Sequence, residues 1–321
     1  MISDFPITIY LDLNHWINLA KKRKQNNTTI EDRLKQLVDA KKIILPISAL
    51  HMIEASAISN KSQRNDLFEI FKTLSRGFVL RYLEDVRYLE LKMRIGSHYE
   101  LFNYRDITQS VIVKGFLRAF GEPNIDFSCW REIDFNKSIE AELEFFDLFF
   151  SDIPLELILS EHYPKLAKNG NEAKRLSSAH EQTRKNIEGK DLDIIENECI
   201  LGFSKNFAKL ACQVVIDLKL SDETIKANPP KHFWTKEYMS SVPSFNVWSK
   251  LNLYLARSIN RDMTVNDLYD IGHLSVALPY CRIVVADKAM SHLMTFRKLH
   301  DKYDTYVYSS LEKLVKDIEN I

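Results

Sequence analysis

The chain has 321 residues, enough for one large domain or two ordinary ones, with a core that needs no disulfide staples. Apolar residues make up 45% and aromatic residues 11%, with only 8 glycines and 9 prolines, which argues against a loop-rich all-β fold and for helices. The 44 basic and 44 acidic side chains cancel, so no global basic field marks a nucleic-acid binder, although a local basic patch is compatible with that balance. The four cysteines (Cys129, Cys199, Cys212, Cys281) show no C-x-x-C spacing. They read as reduced thiols of a cytosolic protein, neither a zinc site nor a disulfide framework. No basic segment followed by an apolar stretch opens the chain, and no run of about 18 apolar residues occurs. Neither a signal peptide nor a membrane span is expected, and the expected location is cytoplasmic.

Ile7–Leu11 reads as a short buried strand that stops at Asp12. Asn14 can cap a helix from His15 to Arg23, and after the polar turn Gln25–Thr28 a second helix follows from Ile30 to Lys41, with Ile30, Leu34, Leu37 and Val38 at helical spacing. Ile43–Pro46 reads as a second strand, and Ser48 opens a helix carrying Leu50, Ile53 and Ala57. Residues 61–260 read as mostly amphipathic helix. Leu67, Ile70, Phe71 and Leu74 form one apolar stripe, Leu143, Phe146, Phe149 and Phe150 another, and Ile195, Cys199, Ile200 and Phe203 a third. Phe78–Leu80 is the one strand expected there, at a sheet edge. Lys165–Lys190 reads as an exposed helix or mobile segment, and Asn228-Pro229-Pro230 breaks the helices. Thr264 then caps a helix through Leu278, Pro279 stops it, and the strand Cys281–Ala286 ends at Asp287. A helix Lys288–His300, a strand Thr305–Tyr308 and a helix Leu311–Ile318 complete the order. This pattern predicts an α/β fold with a central parallel sheet assembled from both chain ends, 1–60 and 261–321, and a mostly α-helical insertion at 61–260.

The acids stand out against this plan. Asp12 and Asp287 each close an apolar strand, and the carboxyl ends of parallel strands form the open edge where α/β sheets bind ligands. Glu54 lies in an otherwise apolar helix, and Asp267 and Asp270, three apart, share a helix face. Clustered carboxylates repel one another unless a cation or shared protons neutralise them, so the set points to a divalent metal and to hydrolytic phosphate chemistry. Each acid also has a plainer reading. Asp12 and Asp287 can be helix N-caps, Glu54 a partly exposed helix carboxylate, and Asp267 a first-turn charge that suits the helix dipole. His273, one turn beyond Asp270, can orient a water or phosphate or be a satisfied core histidine. Lys21, Lys22, Arg23, Lys24 and Lys288 can hold a phosphate backbone, and the first four equally complement a helix C-terminus.

Three stretches, IYLDLNHWINLA, LPISALHMIEAS and TVNDLYDIGHLSVALPYCRIVVADKAM, together resemble the PIN-like nuclease superfamily. The resemblance covers roughly the first and last 60 residues; the long central segment departs from minimal members. It implies a PIN-like sheet and a catalytic set of Asp12, Glu54, Asp270 and Asp287, with Asp267 as a neighbouring metal ligand. It further implies Mg²⁺ or Mn²⁺ as cofactor and nucleic acid, RNA first, as substrate. It also implies a role such as a bacterial toxin or defence effector, with an inhibitory or activating protein partner. Hydrolysis by a metal-activated water needs no side-chain nucleophile, consistent with the lack of a Cys–His or Ser–His arrangement. An aspartyl phosphatase centred on Asp12 would need an acid where Asn14 stands. The rival from another class is a catalytically silent PIN-like scaffold, whose aromatic stretch Glu142–Phe150 would suit a partner helix.

Overall fold

The computed structural model describes residues 6–103, 105–120, 185, 190, 207–228, 235–257 and 264–318. Its principal elements begin with β1 (Ile7–Leu11), α1 (Leu13–Lys24), α2 (Thr29–Asp39), β2 (Ile43–Ile44), α3 (Ala49–Ser56) and α4 (Lys61–Ser75). They continue with β3 (Phe78–Leu80), α5 (Leu83–His98), β4 (Ile112–Lys114), α6 (Pro243–Ala256) and α7 (Val265–Tyr280). The last are β5 (Ile283–Val285), α8 (Lys288–Phe296), β6 (Tyr306–Tyr308) and α9 (Leu311–Asp317). Contacts divide the described residues into a sheet unit (6–82, 111–120 and 280–318) and a helical unit drawn from 83–110 and 185–279.

The sheet unit is α/β. Its four-stranded sheet has the order β2-β1-β5-β6 and is parallel throughout. Ile9-Tyr10-Leu11 lies in register with Ile283-Val284-Val285, so the first strand of the chain is hydrogen-bonded to one some 270 residues later. Both strands are buried, as central parallel strands are, and their β-branched composition suits that position. From β1 the chain moves outward to β2, and from β5 it moves the other way to β6. Strand order therefore reverses between β1 and β5.

Alternation along the strands sends Ile9, Leu11, Ile283 and Val285 to one face. There they pack with Trp16 and Leu19 of α1, Leu34 of α2, Phe71 and Leu74 of α4, and Leu311 and Leu314 of α9. The stripe Leu67-Ile70-Phe71-Leu74 is buried in this core as its spacing predicts. Two ion pairs brace the helices. Arg23 meets Glu31 through two guanidinium nitrogens, and Lys22 Nζ reaches Glu312 Oε1 at 2.6 Å. Hydrogen bonding from Lys22, then from backbone and Ser310, holds the Glu312 carboxyl down at about 2 from its ordinary 4.5. That lowered value stabilises the fold above pH 4.5 and is lost as pH falls from 4.5 toward 2. Because the pair is half exposed, Glu312→Gln is expected to cost under about 1 kcal/mol at pH 7. The gap to wild type should narrow below pH 4.5 and close only near pH 2 in acid-titrated thermal melts; a gap independent of pH would contradict this.

Four expectations need correction. The helix after Thr264 runs on to Tyr280 with Pro279 inside its last turn, so Pro279 does not stop it. The first helix begins at Leu13 with Asp12 as its cap, not at His15 behind Asn14: Asp12 Oδ1 accepts from Leu13 N at 2.7 Å and its carbonyl from His15 N at 2.9 Å, so the helical turn closes earlier. Phe78–Leu80 is a strand, yet it lies outside the main sheet. It pairs antiparallel with β4, and a single parallel bridge links Val79 to Ile47. Gly77 and Gly115, at φ 78° and 113°, make the turns beside this pair, and three residues of β4 are too few for a periodic pattern. The helix after Asp287 ends at Phe296 rather than His300, because Lys298 takes a left-handed conformation at φ 53° that turns the chain. The stripes at 143–150 and 195–203, Cys129, Cys199, Pro229-Pro230 and nearly all of 165–190 lie outside the described residues.

The helical unit has its own core. Leu91 and Ile95 of α5 pack with Phe207, Val214, Met239, Val242 and Phe245, and the Arg87 guanidinium lies 5.1 Å from the Trp248 ring. Glu90, 2% exposed, accepts from Ser244 N at 2.8 Å and from the Ser244 hydroxyl, placing a carboxylate on the first turn of α6. No described helix is long and apolar enough to cross a membrane.

Candidate active site

Asp12 and Asp287 lie at the carboxyl ends of the two central strands. Asp12 N donates to Val285 O at 2.8 Å, extending the β1–β5 ladder by one residue, so Asp12 stands beside Ala286 and next but one to Asp287. Neighbouring strands are about 4.8 Å apart, so the two acids stand on adjacent strand ends at one edge of the sheet. This is where the strand order reverses, and in open α/β sheets that crevice is the ligand site.

Each acid is oriented by the helix it starts. Asp12 is 8% exposed; its Oδ1 caps α1, and its Oδ2 accepts from Asn14 Nδ2 at 3.4 Å. Asp287 is half-buried, and its Oδ1 accepts from Met290 N at 2.7 Å to cap α8. The capping reading and the strand-end reading therefore hold together for both residues. Trp16, fully buried, donates its indole N–H to Leu11 O at 3.0 Å and pins the backbone just before Asp12. His15 Nε2 lies 3.5 Å from Ala286 O, so this imidazole spans the two strand ends. His15 was visible in the sequence only as a neighbour of Asp12; its reach across to β5 depends on tertiary pairing.

Glu54 stands half-buried on α3, whose chain arrives from β2, the strand on the other side of β1. The start of α3 is fixed by His51, which sequence reading passed over although it lies one turn before Glu54. Ser48 Oγ accepts from His51 N, and His51 Nδ1 accepts from Ser48 N, both at 3.3 Å. A ring nitrogen that accepts a backbone N–H carries no proton, so Nε2 holds the hydrogen and donates it to the Tyr10 hydroxyl at 3.1 Å. The rings stack with centroids 5.2 Å apart, tying α3 to β1 two residues before Asp12.

Asp267, Asp270 and His273 belong to α7 in the helical unit. Asp267 is buried, and its Oδ2 accepts from Thr264 N at 2.7 Å and Thr264 Oγ1 at 2.8 Å while Thr264 Oγ1 caps Asp267 N. This reciprocal cap gives Asp267 a structural role of its own. Asp270 is half-buried one turn on, and His273 is 3% exposed. The basic run of α1 is largely engaged elsewhere: Lys22 pairs with Glu312, Arg23 with Glu31 and Lys24 with Asp66. Cys281 is buried, and desolvation pushes its thiol up, so it offers no thiolate nucleophile.

Among the described residues, no group of three or more His, Cys, Asp or Glu side chains is gathered so as to hold a metal ion. The donor set at the edge is hard carboxylate oxygen from two adjacent strand ends. That set fits Mg²⁺ or Mn²⁺, since Mg²⁺ is commonly held by one or two carboxylates, with waters and substrate phosphate completing the shell. Comparison with protein-family models, curated protein sequences and solved structures returned no match for this chain.

Proposed function

We propose that this chain is a divalent-metal-dependent endonuclease with a PIN-like sheet, hydrolysing phosphodiester bonds in RNA. One observation carries the reading: Asp12 and Asp287 end the two adjacent central strands, at the point where strand order reverses. In the proposed site both carboxylates hold Mg²⁺ or Mn²⁺, and Glu54 serves from α3. When bound, the ion acidifies a water and stabilises the leaving oxygen. The chain's own contribution is orientation. The caps fix each carboxylate, Trp16 holds the β1 terminus, and the Tyr10–His51–Ser48 network seats α3. Asp270 enters through the family resemblance alone, and Asp270→Asn tests it separately. The toxin or defence setting and a regulatory protein partner come from the same resemblance.

The test is incubation of single-stranded and hairpin RNA with the protein in Mg²⁺ or Mn²⁺ and in EDTA. Internal cleavage that requires the ion is expected; no cleavage with either ion would end the proposal. A second reading, a catalytically silent scaffold, is favoured by the capping bonds of Asp12 and Asp287, which give both acids a purpose without chemistry. Ion binding separates the two, because a metal site raises the melting temperature with Mn²⁺ concentration and a scaffold does not.

A further inference from the structure

A groove of about 430 Å³ opens between α8, β6 and α9 in the sheet unit, within the range of roughly 300–1,000 Å³ typical of ligand sites. Its walls include Lys288 and His292 of α8, Tyr306 and Tyr308 of β6, and Ser309 and Lys313 at the start of α9. Lys288 directly follows Asp287, so the groove begins at the candidate catalytic edge.

Its chemistry is cationic and aromatic. Lys288 and Lys313 are exposed, and neither forms an ion pair among the described residues. The acid of the groove, Asp317, accepts a hydrogen bond from the Tyr308 hydroxyl, which burial and then the Asp317 charge push up from its ordinary value. Two lysines against one acid leave the groove net positive. Tyr306 stays 45% exposed with the Arg282 guanidinium 4.8 Å from its ring centre. Nearby Phe296 is 64% exposed and stacks on His292 at 5.4 Å. Exposed rings beside cations, next to a cationic groove, match the stacking platforms that hold single strands. Bases inside a duplex present no free faces to such rings.

From these features we infer that the α8–β6–α9 groove binds a single-stranded polynucleotide, with phosphates on Lys288 and Lys313 and a base stacked on Tyr306. The inference deepens the nuclease reading and rests on it for the strand's destination at Asp287.

The test is fluorescence anisotropy of end-labelled oligouridine and oligothymidine, about 12 nucleotides long to span a typical single-strand site, titrated with the full chain in EDTA. Wild type is expected to bind, less tightly as salt rises. Lys288→Ala with Lys313→Ala should flatten the slope of log Kd against log salt by about 1.4, two single-strand phosphate contacts. Tyr306→Ala should weaken binding about tenfold, and Tyr306→Phe should restore it. No binding by wild type, equal affinity for a blunt duplex, or wild-type affinity and slope in the lysine and tyrosine variants would each overturn the inference. Because EDTA removes cleavage from the measurement, variant-sensitive binding by a chain that cleaves nothing upholds the groove and ends the nuclease reading. Cleavage with variant-insensitive binding does the reverse.

Discussion

Asp12→Asn and Asp287→Asn should each reduce Mg²⁺-dependent RNA cleavage by at least about a hundredfold while leaving the melting temperature nearly unchanged. The substitution separates the two jobs that each side chain performs. Asparagine caps a helix about as well as aspartate, so the bonds to Leu13 N and Met290 N survive. What is lost is the negative charge and one hard oxygen donor, worth several kcal/mol where a divalent ion must be held against developing charge. Alanine instead removes the cap as well, and should cost about 1 kcal/mol of stability on top of the activity loss. The double Asn variant should be no worse than either single one, because residues that act as a unit are not additive. Full cleavage by either Asn variant would show that the carboxylate is a cap and nothing more. Rates and melts of wild type and these variants, measured together, give the answer.

Trp16→Ala should cost about 3–5 kcal/mol, the largest stability loss expected from a single substitution near the site. The side chain is fully buried, meets Phe71 edge-on at 5.2 Å, and satisfies the carbonyl of Leu11 at the end of β1. Removing it opens a cavity beneath the sheet and leaves that buried carbonyl without its donor. Trp16→Phe keeps most of the apolar contact but not the hydrogen bond, and should cost about 1–3 kcal/mol. Both variants loosen the strand end that carries Asp12, so cleavage should fall further than the loss of folded protein accounts for. Urea denaturation gives the stability term; a loss below 1 kcal/mol for Trp16→Ala would show that the core closes around the gap.

The strand ends were legible because their composition is extreme. Apolar runs at 7–11 and 281–286, each halted by an acid, read as buried parallel strands from residues alone. One sheet from both chain ends is what the residues predict, but that β1 and β5 are direct neighbours is not, because pairing across 270 residues leaves no local mark. The plainer readings of Asp12 and Asp287 proved true alongside the expected placement, since a strand end and a helix start are the same point in a βα unit. Asp267 was suspected as a dipole charge and is a reciprocal cap with Thr264. By contrast, β4 is three residues behind a short helical turn, below the length at which alternation can be counted. The basic run Lys21–Lys24 reads as available for phosphate, yet its partners Glu312, Glu31 and Asp66 come from other helices; Lys288 is a phosphate candidate from the sequence, whereas its groove companion Lys313 carries no signal there. Side-chain partnerships across elements are tertiary facts that spacing does not encode.

The most direct measurement is an anomalous-scattering experiment on crystals of the full chain soaked in Mn²⁺. The account predicts an anomalous peak at the carboxylates of Asp12 and Asp287 in wild type, absent from crystals of Asp12→Asn. A peak that persists unchanged in Asp12→Asn, or Mn²⁺ bound elsewhere with both carboxylates engaged only as helix caps, would contradict it.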